Sequence, residues 1–460
     1  GAVTELEALL AHLLRLLGPD HPDTLTTRNN LASYRHRAGN PSGAVTELEA
    51  LLTDRLRLLG PGHPDTLGTR NNLASCRDKA GDPSGAVTEL EALLTDRLRL
   101  LGPDHPDTLT TRNNLASYRA RAGDPAGAVA ELEALLTDQQ RLLGPGHPQA
   151  FITRNNLASG RARAGDPAGA VTELEALLAV ELRVLGPDHP QTLTTRNDLA
   201  YYRAEAGNPA QAVMEVEALL ADRLRLLGPD HPDTLTTRND LASCRAEAGD
   251  PARAVMELEA LLTHQLRLLG PDHPQMLATR NDLAYYRGEA GDPALAVMEL
   301  EVLLTDQLRL LKADHPGTLR TRNNLATNRA RAGDPVGAAT ELEALLTDQL
   351  RLLGPDHPDT FTSRNNLAVY GARAGDPAGA VTGLEELLTD QLRLLKTDHP
   401  DTLITRNNLA SCRALAGESS AARAELETLV VDSLRVLGPQ HPLTERVLTA
   451  LDELQRRMGD

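Results

Sequence analysis

The stretch "HPDTLTTRNNLASYRARAGDPAGAVAELEALLTDQQRLLGPG" (105–146) opens on a His-Pro pair. The same pair recurs at His21, His63, His105, His147, His189, His231, His273, His315, His357, His399 and His441, always 42 residues apart. A fixed period of this size marks stacked supersecondary units, none of which can bury its apolar stripe alone. Within 105–146 the punctuation predicts two helices. Pro106 suits a first helical turn, and Asp107 favours the positive end of the dipole. Gly123 supplies the left-handed residue that ends this helix. Asp124 is an N-cap and Pro125 opens a second helix, in which Ala128, Val129, Leu132, Leu135, Leu136 and Leu143 fall at helical spacing. Gly144-Pro145 stops it. No segment alternates like a strand, so the chain reads as all-α.

Composition narrows the function. The 460 residues carry 47 basic and 64 acidic side chains, a net charge of −17. Such a chain repels nucleic acid and anionic membrane surfaces unless a local basic patch intervenes. With no Trp, two Phe and seven Tyr, rings for base stacking are scarce. Three Cys make no disulfide framework, and no apolar run reaches the length of a membrane span. Residue 1 is Gly, which points to a processed or trimmed chain. A cytoplasmic location is expected; a removed leader or filament formation would make it extracellular.

The recurring "NNLA", the Gly at 123, Ala128 and the "LGPDHP" linker resemble the tetratricopeptide repeat. The variety is the 42-residue one of kinesin light chains and of repeat regions in bacterial signalling NTPases. The resemblance covers essentially the whole chain. It implies a right-handed α-solenoid superhelix of stacked antiparallel helix pairs: an unpaired second helix at 1–18, ten units over 21–440, and a capping or docking helix at 441–460. One position departs from the family. Where Trp is usual in the first helix, every unit has Arg: Arg28, Arg70, Arg112, Arg154, Arg196, Arg238, Arg280, Arg322, Arg364 and Arg406. A second Arg follows seven residues on, as in Arg35, Arg77 and Arg119, with Gly371 the one exception. Half-buried Arg needs a carboxylate partner, and Glu131 or Glu133 of the second helix is expected to supply it.

The family resemblance places the first helices on the concave surface. Thr110, Asn113, Asn114, Ser117 and Arg121 share that face by helical spacing. The first Asn of each pair never changes: Asn29, Asn71, Asn113, Asn155, Asn197, Asn239, Asn281, Asn323, Asn365 and Asn407. Carrying donor and acceptor, these side chains suit an extended peptide backbone, as the resemblance implies, or tie neighbouring first helices together. The second Asn is Asn30, Asn72, Asn114 and Asn156 in units one to four, Asp198, Asp240 and Asp282 in five to seven, then Asn324, Asn366 and Asn408. Seven residues on, Arg37, Lys79, Arg121 and Arg163 give way to Glu205, Glu247 and Glu289, then to Arg331 and Arg373. The face therefore runs basic, acidic, basic. Six carboxylates on one wall select cationic partners.

Other signals point away from chemistry. Helices in contact lie roughly 8–10 Å apart, too far for neighbouring His to share a zinc whose ligands sit about 2 Å away. The repeated His reads as a linker residue fixed by the following Pro. No nucleophile–base–orienter cluster and no phosphate loop is legible, so no catalysis, cofactor or metal is expected. Cys76, Cys244 and Cys412 are too far apart in the stack to bridge.

The ends suggest more. The opening "GAVTELEALL" has no first helix before it, leaving Val3, Leu6, Leu9 and Leu10 open to water. The closing "MGD" and the opening "GAV" nearly rebuild "AGDPAGAV". Three readings result. The first is a non-catalytic protein-interaction scaffold holding an extended peptide. The second is a structural protein polymerising head-to-tail through its half-units. Asp452, where other units have Ala, argues for a polar cap instead. The third is the sensor region of a larger signalling NTPase.

Overall fold

In the computed structural model, which describes residues 2–37, 40–395, 397–439 and 441–459, helices form where the punctuation places them. In unit three the first helix is Pro106–Arg121 and the second Pro125–Leu143. Among the described residues there are 22 helices and no strand. The half-units at the ends are Ala2–Leu16 and Pro442–Gly459.

Most helix starts carry one side-chain cap; Asn208 and Glu418 are N-caps whose side chains make no such bond. Asp124 Oδ1 accepts from the Gly127 N–H at 2.9 Å, and Asn40, Asp82 and Asp166 repeat the contact. The recurring His does more than link. His63 Nδ1 accepts from the Asp65 N–H at 3.2 Å, and the equivalent bond forms from His21 to His441. A ring nitrogen here does the work that Ser or Asp oxygen does elsewhere. At the helix ends Gly123 has φ 102°, as its left-handed role requires.

The chain divides into two compact lobes, residues 1–156 and 157–460. In each, consecutive helices pack antiparallel, and Ala and Leu of one unit meet Leu of the next. Ala32, Ala44, Leu48 and Leu51 close on Leu73 and Cys76, for example. The three cysteines are free and buried, and burial pushes Cys76 and Cys412 up to about 11. Of the four residues expected to be open in the first helix, Leu9 is exposed; Val3, Leu6 and Leu10 are half-covered. The join between Asp460 and Gly1 lies outside the described residues.

The lobe at 157–460 also meets itself. His399 lies against Gly165, with its Nε2 3.1 Å from the Arg163 carbonyl oxygen. Its Nδ1 accepts from the Asp401 N–H, so the ring proton is on Nε2, which donates. His441 lies beside Gly207 in the same relation. The first helix of unit ten and the closing helix thus seat their N-terminal ends against units four and five.

Candidate peptide-binding groove

The repeated Arg is a clamp. Arg112 donates from Nε to Glu131 at 2.7 Å and from Nη1 to Asp138 at 2.8 Å, joining the two helices of its unit. Arg28, Arg70, Arg322 and Arg406 do the same. The second Arg reaches back to the preceding second helix: Arg35 to Glu7, Arg77 to Glu49, Arg119 to Glu91. Two exceptions are informative. His264 stands where an Asp would hold Arg238, and among the described residues Arg238 has no ion-pair partner; burial lowers its pKa. In unit nine Gly371 and Gly383 replace both the second Arg and the Glu shared by the two clamps, and Arg364 keeps Asp390.

On the first-helix face the Asn residues bond to one another. Asn72 Nδ2 donates to Asn29 Oδ1 at 3.2 Å, Asn114 to Asn71 at 3.3 Å, Asn324 to Asn281 at 3.2 Å, Asn366 to Asn323 at 3.2 Å and Asn408 to Asn365 at 3.1 Å. The ladder runs from each second Asn back to the preceding unit's first Asn. The first Asn is buried in units three and seven and half-buried in the others; Asn281 is 1% exposed, and its Oδ1 also accepts from Thr321. Asn155 and Asn156 lie in their first helix, Pro148–Arg163. In the acidic block the ladder turns round. Asn197 Nδ2 donates to Asp240 at 2.8 Å, and Asn239 Nδ2 to Asp282 at 3.1 Å. A carboxylate has no donor, so the invariant amide must supply the proton.

Burial raises four carboxyls of this block, Asp198, Glu205, Asp240 and Glu247. Asp198 is pushed up to about 6, first by burial and then by the neighbouring Asp240, with Arg223 opposing. Asp240 is raised by burial, against the bond from Asn197. Glu247 rises to about 7 through burial and Glu205, although the residue as a whole is exposed. Glu205 is itself raised by burial and accepts from Tyr201 Oη at 2.7 Å. The extra Tyr201 and Tyr285 stack edge-to-face on Tyr202 and Tyr286. At the block's end Arg320 pairs with Asp282 at 3.2 Å and Arg331 with Glu289 at 2.6 Å.

The basic flanks are partly spent. Arg121 binds Asp78 at 2.9 Å and lies over Tyr118; Arg37 lies over Tyr34 and Arg373 over Tyr370. One polar column escaped sequence reasoning altogether. Arg55, Arg97, Gln139, Glu181, Arg223, Gln265, Gln307, Gln349, Gln391 and Ser433 are equivalent in the second helices, and all are buried. An Arg or Gln in the middle of a leucine stripe was the available signal.

Tetratricopeptide repeat family models match residues 24–65, 66–107, 108–149, 318–359 and 360–401, and also 149–221 and 203–264. The chain belongs to the tetratricopeptide repeat family. Repeats of this family are protein-interaction scaffolds, and that is the coarse function of this chain. No curated protein matches the sequence significantly. Among solved structures, it is similar to a kinesin light chain protein of Podosopora anserina with nearly identical TPR-like repeats. The identity is 28%, over 45% of this chain and 97% of that one, with a TM-score of 0.39. It is also similar to a Rap protein complexed with the competence and sporulation factor (10% identity, 77% and 99% covered, TM-score 0.45). BtubC from P. vanneervenii is a third (18% identity, 54% and 91% covered, TM-score 0.37). No helix among the described residues is long and apolar enough to cross a membrane.

Proposed function

We propose that the chain is a non-catalytic scaffold that holds an extended cationic protein segment along the first helices of units five to seven. The observation carrying this reading is the block of Asp198, Glu205, Asp240, Glu247, Asp282 and Glu289, whose carboxyls are crowded along one face. In this region burial raises carboxyls, so an arriving cation lowers their free energy. Adjacent first helices lie roughly 10 Å apart. An extended chain advances about 3.3 Å per residue. A segment with a basic side chain at every third residue therefore keeps step with the units.

A fluorescent Lys-rich peptide of this spacing, titrated at low salt and pH 8, tests the reading by anisotropy. Changing Asp198, Asp240 and Asp282 together to Asn restores the ladder of the other units. It is expected to weaken binding at least about tenfold and to flatten the salt dependence. Unaltered affinity would remove the acidic block from recognition.

A further inference from the structure

Beside the acidic block is a cavity of about 410 Å³, set among the first turns of units seven to nine. Pro274, Leu277, Leu311 and Leu319 give it an apolar wall. Ala278, one helical turn before Asp282, and Asn323 place its mouth on the groove face. Two buried side chains line it with nothing to bond: Gln307 is 2% exposed and Gln349 3%, and neither Oε1 has a hydrogen-bond partner among the described residues. A buried amide oxygen left this way destabilises the fold, so something that donates hydrogen bonds is called for.

The rest of the molecule shows what donates there. Gln307 and Gln349 are equivalent to Arg55, Arg97 and Arg223. Arg55 Nη1 donates to the Asp65 carbonyl at 2.8 Å and to Thr69 Oγ1 at 2.7 Å. Arg97 makes the same bonds to Asp107 and Thr111, and Arg223 to Asp233 and Thr237. The counterparts of Asp65 and Thr69 for Gln349 are Asp359 and Ser363, and both line the cavity. The shorter glutamines leave the guanidinium position unfilled at Gln265, Gln307, Gln349 and Gln391, four successive units, and the cavity lies at the middle two. Gly317, where other units carry Asp or Gln, adds no side chain to the lining.

Resting on the groove reading, we infer that this cavity is an anchoring site for an arginine side chain of the bound segment, whose guanidinium takes the place that Arg55, Arg97 and Arg223 fill from within. The methylene stem lies on the leucines and prolines. The planar fork donates to Gln307 Oε1, Gln349 Oε1 and the Asp359 carbonyl, and the Asp359 carboxylate supplies opposite charge. Arg320, the like charge at the rim, is turned to Asp282. His315 is held neutral by burial. A lysine ammonium, a single compact point of charge, cannot reach these acceptors together.

Two labelled basic peptides that differ by one Arg-for-Lys exchange, with N-acetyl-L-arginine amide as a minimal probe in calorimetry, decide the matter. The arginine peptide is expected to bind about tenfold tighter to the wild-type chain. Gln349→Arg supplies the guanidinium internally and should bring that ratio to about one with no loss of melting temperature, because Arg is native at the equivalent positions. Gln307→Arg should act alike, and Gln139→Arg, in the other lobe, should leave the ratio unchanged. A wild-type ratio near one, or a ratio indifferent to Gln349→Arg and Gln307→Arg, overturns the site. The groove reading fails separately: if neither peptide binds, N-acetyl-L-arginine amide still reports on the cavity, and binding of it that Gln349→Arg abolishes upholds the site.

Discussion

The clamp face and the groove face of each first helix are cut from the same 16 residues, yet they behave oppositely across the units. On the clamp face Arg70 meets Glu89 at 2.6 Å and Asp96 at 2.8 Å while 12% exposed; the Arg itself never changes, and Arg28, Arg112, Arg322 and Arg406 repeat both bonds while Arg196, Arg280 and Arg364 keep the one to Asp. On the groove face Asn becomes Asp and Arg becomes Glu without disturbing a helix boundary. The ladder accommodates the change by rotating one amide. The clamp has no such freedom, because a guanidinium between two carboxylates has no neutral substitute of similar reach. Constancy here reflects charge held out of water, and divergence reflects a face where a neighbour can compensate.

Removing a clamp is the most severe way to break this comparison. Arg70→Ala leaves Glu89 only the longer contact with Arg77 at 3.7 Å and Asp96 that with Arg99 at 3.6 Å, and is expected to cost about 3 kcal/mol. Urea unfolding should show the loss, and amide hydrogen exchange should localise it to units two and three. On the groove face Asn72→Ala removes one ladder bond and should cost only about 1 kcal/mol. Comparable losses from the two would erase the distinction. Unit nine offers the converse. Gly371 and Gly383 each lie in a helix with open space where a Cβ would go. Gly371→Arg with Gly383→Glu removes two helix-interior glycines and completes the clamp on Arg364. A gain of about 2 kcal/mol is expected, and the double variant should exceed the sum of the singles, since Arg and Glu need each other.

Much of this was legible from the spacing of His-Pro, Gly and Asp, because helix caps are local and every unit repeats them. The Arg clamp was legible too, since Glu131 falls within reach of Arg112 on any helical hairpin. Three features were not. The capping role of His63 depends on which ring nitrogen faces the backbone. The meeting of His399 with Arg163 depends on a small rotation per unit, summed over a long stretch of chain, that no single unit encodes. The column of Arg55 and Gln349 hid inside the leucine stripe, where a polar residue looks like an exposed position until neighbouring first helices close over it. The Asn ladder stood between these cases: its face was readable, but the turn of each amide was set by its partner.

Acid distinguishes the two faces with the least intrusion. In the folded chain Asp198 is raised to about 6 and Glu247 to about 7, against an unfolded value of about 4. Between those values the folded state holds protons that the unfolded chain has released. Their stabilising contribution is complete below about pH 4 and is lost as the pH rises through 6 to 7. His315 and His441 run the other way: burial lowers both, so their contribution is present above about pH 6.5 and lost as the pH falls. The wild-type profile mixes the two signs, and Asp198→Asn with Glu247→Gln separates them, because the double variant keeps every His. Relative to the variant, the wild-type chain should gain about 1–2 kcal/mol between pH 8 and pH 5, the exposure of Glu247 reducing its share. Clamp carboxylates such as Asp138 and Asp432, held below the usual range by their Arg partners, should contribute nothing to this difference. Urea midpoints of both chains across that range measure it; parallel profiles would mean that the acidic block is as well solvated as any surface carboxylate, and that a cationic segment gains little by covering it.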